Sequence, residues 1–131
     1  MDETAISQYL TALAGVETVE KDGDIYYFVG SDHTFPFATL VTGDRHDTVS
    51  HLDRPGVYRL NVGVSKATFQ SLFPTSDVEP DYAALDRILP HPVYGKMYWV
   101  CVLNPTEATF EATVKPLLTE AHATAVKKAK G

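Results

Sequence analysis

Residues 16–30, VETVEKDGDIYYFVG, predict an antiparallel pair of strands. Two β-prone runs flank Asp22-Gly23, a dipeptide suited to tight hairpin turns because it tolerates the positive φ they need. The second run is aromatic and β-branched, which fits a pleated, half-buried surface. Three more runs can extend the sheet: FPFATLVT, VYRLNVG and KMYWVCVLN. Pro36 has no N–H to give to a ladder, so it belongs near the start of its strand or on an edge.

Helical spacing marks both ends of the chain. Ala5, Ile6, Tyr9, Leu10 and Leu13 share one face, Asp2 or Thr4 can cap it, and Gly15 sits where a helix stops. Phe110, Val114, Leu117, Leu118, Ala121 and Ala125 form a closing stripe, in which Pro116 predicts a kink or two successive helices. Between the strands, VSKATFQSLF reads as a short helix capped by Ser65, with Phe69, Leu72 and Phe73 facing inward. Residues 74–95, PTSDVEPDYAALDRILPHPVYG, are the least regular, with a helical turn or two expected over Asp81–Leu89. Hairpin signals without regular βαβ alternation predict an α+β fold. Its antiparallel sheet carries the N- and C-terminal helices on one side, and residues 1–131 form a single domain.

Charge narrows the function classes. Seventeen acidic residues against 11 basic ones leave a net −6, so a general phosphate-backbone binder is disfavoured. One cysteine, Cys101, cannot form an internal disulfide. The first residues lack a basic, apolar leader and no run is long enough to span a bilayer, so a cytoplasmic protein is expected.

The stretch RILPHPVYGKMYWVCVLNP, residues 87–105, holds the only Trp and the only Cys. Pro90-His91-Pro92 is stiff and extended, and it projects His91 at the mouth of the Trp99 strand. Packing is the plainer use of those aromatics. A His, a Tyr and an aromatic wall also suit a small-molecule site. The segment GDRHDTVSHLDRPG, residues 43–56, offers His46, His51 and several aspartates, which suit a metal chemically but match no metal-site spacing. Solvated loop charge is its plainer reading. NVGVSKATF leads into a helix N-terminus without the glycine spacing of a phosphate loop. Cys101 lies in an apolar strand, where a thiol stays protonated.

Several of these segments, taken together, resemble the MmcQ/YjbR-like proteins. LTALAGVETVE is similar to their opening helix and turn, RLNVGVSKATFQSLFP to their strand followed by a helix, MYWVCVL to their Trp-bearing strand, and LLTEAHATAVKK to their closing helix. The resemblance implies a CyaY-like α+β sandwich. The 43–56 insert and the HPVYGKMY approach to Trp99 depart from that pattern and point to a separate bacterial family of unknown function.

The expected role is a non-catalytic binding domain for a small molecule or a protein partner. Its site lies near His91, Tyr94 and Trp99, with Arg59 and Asn61 as polar neighbours across the sheet. No cofactor, metal or membrane is expected. A hydrolytic or metal-assisted enzyme using His91 or the His46/His51 loop is the rival, and DNA binding, proposed for some MmcQ/YjbR-like proteins, is the third reading.

Overall fold

The Asp-Gly turn forms where the sequence places it. In the computed structural model, which describes residues 1–75 and 79–130, β1 (Val16–Lys21) and β2 (Asp24–Val29) pair antiparallel from Val16–Val29 to Lys21–Asp24. Asp22 and Gly23 both take positive φ, as such a turn requires. β3 (Ala38–Val41), β4 (Arg59–Gly63), β5 (Leu89–Pro90) and β6 (Trp99–Leu103) complete a six-stranded antiparallel sheet in the order β1-β2-β3-β4-β6-β5. Pro36 lies just before β3, where no ladder bond is asked of it.

All the main helices cover one face. α1 (Glu3–Thr11) is capped by Asp2, whose carboxylate accepts from the Ala5 amide, and it buries Ile6 and Leu10. The C-terminal helices bury Phe110, Val114, Leu117, Leu118 and Ala121 against Tyr27, Leu40, Leu60, Val62, Val100 and Val102. α2 (Lys66–Leu72) is capped by Ser65, and it brings Phe69, Leu72 and Phe73 to the margin of the same core. The Glu120 carboxylate accepts from the Ser65 amide and the Thr68 hydroxyl, which ties this short helix to the last one. The protein is therefore α+β, with its helices on one side of an antiparallel sheet. Among the described residues, no helix is long and apolar enough to cross a membrane.

Pro116 has the expected effect by a particular route. α3 (Glu107–Thr109) runs into a π-helical turn, Phe110–Val114, and then α4 (Lys115–Lys130). Proline cannot donate to the carbonyl four residues back and its ring crowds that carbonyl. The wider π turn just before it absorbs the mismatch while both Phe110 and Val114 stay buried.

Two local expectations change. Residues 81–88 are turns and bends rather than helix, and Leu89–Pro90 is a two-residue strand. The hydrogen bond from the Asp86 amide to the Leu103 carbonyl ties this irregular segment to β6 instead of to itself. Residues 76–78 of the irregular stretch lie outside the described residues. Lys96 and Met97 do not begin the Trp strand either: Gly95–Met97 is a 3₁₀ turn, Tyr98 is left-handed at φ 65, and β6 starts at Trp99.

Candidate functional site

Alternation along β4 splits its side chains between two worlds. Leu60 and Val62 enter the core beneath the helices, so Arg59, Asn61 and Gly63 must face the other way. Pairing carries this outer face across the sheet. Val19, Tyr26, Thr39, Asn61, Cys101 and Leu89 stand opposite one another in one continuous row. Val41, Arg59 and Leu103 are neighbours in the next row, and Gly63 and Trp99 in the row on the other side. The Trp99 ring lies on Gly63, where a Cβ would come within 3.1 Å of it. Glycine there lets the indole lie against the sheet beside Asn61.

The segment after β3 covers one end of this face. Leu52 is buried with Val41 and Leu103. The Asp44 carboxylate accepts from the Leu52 amide, and Arg54 donates to the carbonyls of Ser50, His51 and Ala83. Asp24 at the start of β2 is buried, accepts from Arg45 at 2.9 Å, and sits 2.9 Å from His46 Nε2. The solvated loop expected over residues 43–56 is thus a structured cap. Its polar side chains face inward onto Asp24 and Arg59, which only the folded sheet brings near.

Arg59 is the centre of that cap. Its side chain is 1% exposed and meets Asp47 through two hydrogen bonds, at 3.1 and 2.9 Å, while Nη1 also donates to Ser50 Oγ at 2.8 Å. Burial opposes the charge on Asp47, but the Arg59 hydrogen bonds and charge win and hold its carboxyl below the usual range. One donor of Arg59 is left over: Nε is buried with no partner. Two residues along the strand, Asn61 Nδ2 donates to Thr39 Oγ1 at 2.9 Å, and Asn61 Oδ1 is buried with no partner.

His91 enters from the β5–β6 connection. Its backbone amide donates to the Trp99 carbonyl, which continues the β5–β6 pairing by one residue. Its ring Nδ1 accepts from the amides of Val93 and Tyr94, at 3.0 and 2.9 Å. An acceptor cannot carry the proton, so the neutral ring holds it on Nε2. Burial, with the Arg59 charge nearby, lowers the His91 pKa to about 4. Tyr94 stands 5.1 Å from the His91 ring and is half exposed. The Trp99 amide donates to the Tyr94 carbonyl at 3.2 Å, which places Tyr94 at the Trp99 end of the face. Burial pushes the Cys101 thiol up to about 12, which leaves it inert.

One comparison with known proteins is informative. The model of a family of unknown function, DUF6194, matches residues 1–131. The chain belongs to DUF6194. Comparison with curated proteins and with solved structures gives no significant match.

In this DUF6194 chain, Arg59, Asn61 and Trp99 stand on one face of the sheet, and His91 and Tyr94 adjoin its Trp99 end through backbone hydrogen bonds. Asp47, Ser50, Thr39, Tyr26 and Cys101 join them without having been singled out for this site. Register would have found Thr39 and Cys101, since both stand opposite Asn61 once β3 and β6 flank β4. Nothing local marks Asp47, which is 12 residues from its partner. His46 lies within electrostatic reach of His91, whereas His51 is exposed in a left-handed turn at φ 52. Among the described residues, no group of three or more His, Cys, Asp or Glu is placed to hold a metal ion. One hollow runs between α1 and the β1–β2 hairpin, and another is lined by His91 itself together with Phe69, Pro90, Pro92, Lys96 and Tyr98.

Proposed function

We propose that this DUF6194 chain is a single-domain, cytoplasmic, non-catalytic binding protein that takes a small molecule on the outer face of its sheet. The residues are Asn61 and Arg59 on the floor, His91 at the side, and Trp99 and Tyr94 as aromatic walls. We read the fold as CyaY-like, of the MmcQ/YjbR kind, because a capped opening helix, a strand–helix unit, a Trp strand and a closing helix follow in that order.

The observation that carries the binding reading is the pair of unpartnered polar atoms, Arg59 Nε and Asn61 Oδ1, on one strand and one face. Buried polar groups are hydrogen-bonded as a rule, and each one left alone costs about 1–3 kcal/mol. A ligand that supplies both partners recovers that cost on binding. The chemistry favours binding over catalysis. The Cys101 thiol is too basic to ionise near neutrality. His91, at about 4, already uses Nδ1 as an acceptor, so it has no lone pair free to act as a base.

The test is a thermal-shift screen of metabolites on the wild type and on Asn61→Leu. A ligand of the folded state raises the midpoint with the logarithm of its concentration. The expected result is a dose-dependent shift in the wild type that the folded variant loses. Ligands whose shifts survive the substitution unchanged would place the site elsewhere.

A further inference from the structure

The chemistry of the outer face restricts its ligand, given the binding site proposed above. Its charges are already compensated. Arg59 is held by both oxygens of Asp47, and Arg45 by Asp24. His91 donates no charge, because its Nδ1 is occupied by two amides. Among the described residues the one buried cation is Arg59, which already holds Asp47, so a carboxylate or phosphate placed here would compete with Asp47 for it. The face therefore has no reason to select an anion, and a cation would meet Arg59.

What the face lacks is one acceptor for Arg59 Nε–H and one donor for Asn61 Oδ1. The two residues are about 7 Å apart along β4 and point the same way. The Thr39 hydroxyl that receives Asn61 Nδ2 can also donate. If the Asn61 amide turned over, its free group would become the N–H, and a ligand bearing both functions would still match. Beside this polar strip the Trp99 ring lies on Gly63, and Tyr94 stands at the same end, its carbonyl accepting from the Trp99 amide. Two aromatic groups next to a donor–acceptor edge suit a flat ring. Tyr94 is half exposed and its hydroxyl has no hydrogen bond among the described residues.

We infer that the site takes an uncharged, planar ligand bearing an amide-type edge, a nucleobase-like or carboxamide heterocycle, with that edge on Asn61 and Arg59 and its ring against Trp99.

Matched probes test this. Nicotinamide and uracil present the neutral edge, while nicotinate and orotate keep each ring and add a carboxylate. The readout is a ¹⁵N NMR titration of the assigned wild-type protein, following the Asn61 side-chain amide and the Trp99 indole N–H, so no variant need fold. Saturable shifts of both signals are expected with nicotinamide or uracil, and at least about tenfold weaker with the matching carboxylate. Carboxylates that shift the same two signals as strongly as the amides would overturn the ligand class and leave the site standing. Silence from all four probes would overturn the class too. If in addition the metabolite screen yielded no ligand sensitive to Asn61, both signals would be reporting a face bridged by ordered water, and the site would fall with the class.

Discussion

His91 should make the fold acid-sensitive in a defined window. Its ordinary pKa is 6.5 and the folded value is about 4, because the ring is buried near Arg59 and a proton on Nδ1 would expel two amide hydrogen bonds. Above 6.5 the ring is neutral in both folded and unfolded chains and contributes no pH dependence. Between 6.5 and 4 the unfolded chain binds the proton and the folded one does not, so stability falls as the pH falls. Linkage puts the loss at roughly 2 kcal/mol by about pH 5 and about 3 kcal/mol by about pH 4. Asp47 shifts in the same direction, but lower on the pH scale: its stabilisation is present above the ordinary carboxylate value of 3.8 and is lost as the pH falls through its lower folded value, below this window. Asn is the useful control at position 91, since its Oδ1 can take the place of Nδ1 and cannot be protonated there. Urea unfolding of wild type and His91→Asn from about pH 7.5 down to about pH 4.5 gives the difference directly. The wild type should lose roughly 2.5 kcal/mol more than the variant. Parallel losses would refute the reasoning, because they would mean that the imidazole stays as easily protonated in the fold as outside it.

Three further outcomes follow from the same face. Arg59→Met leaves the Asp47 carboxylate buried without its partner and should cost about 3–5 kcal/mol in chemical denaturation, with part of it restored by adding Asp47→Leu. Gly63→Ala brings a Cβ to 3.1 Å from the Trp99 ring, which should lift the indole off the sheet, shift its fluorescence and cost about 1–3 kcal/mol. Cys101 is 1% exposed and its thiol is pushed up to about 12, so alkylation by iodoacetamide should proceed only at the rate of unfolding; fast labelling of the native protein would contradict the burial.

Much of the architecture is local enough to read directly. The Asp22-Gly23 turn, the Asp2 and Ser65 caps and the 3.6-residue stripes of the end helices each depend on neighbours within a few residues. Short-range signals failed where the decisive partner was distant. Residues 81–88 have a helix-compatible composition, yet the Asp86 amide goes to Leu103 and the Asp86 carboxylate to the Thr106 amide. Residues 43–56 look like a polar surface loop, yet their charges are answered by Asp24 and Arg59 from other strands.

The amino-acid sequence by itself determined β1–β4 and β6, the end helices, α2 and the α+β class, because hydrogen-bonding turns and hydrophobic periodicity act over a few residues. It also brought His91, Tyr94, Trp99, Arg59 and Asn61 forward as residues worth watching. Only the tertiary structure decided what they share. The pleat turns Arg59 and Asn61 away from the helices, the pairing of β4 with β3 and β6 sets Thr39 and Cys101 beside Asn61, and the cap fixes Asp47 on Arg59. A donor or an acceptor goes unpaired only after every other group has found its partner, and those partners lie 9 to 22 residues away along the chain.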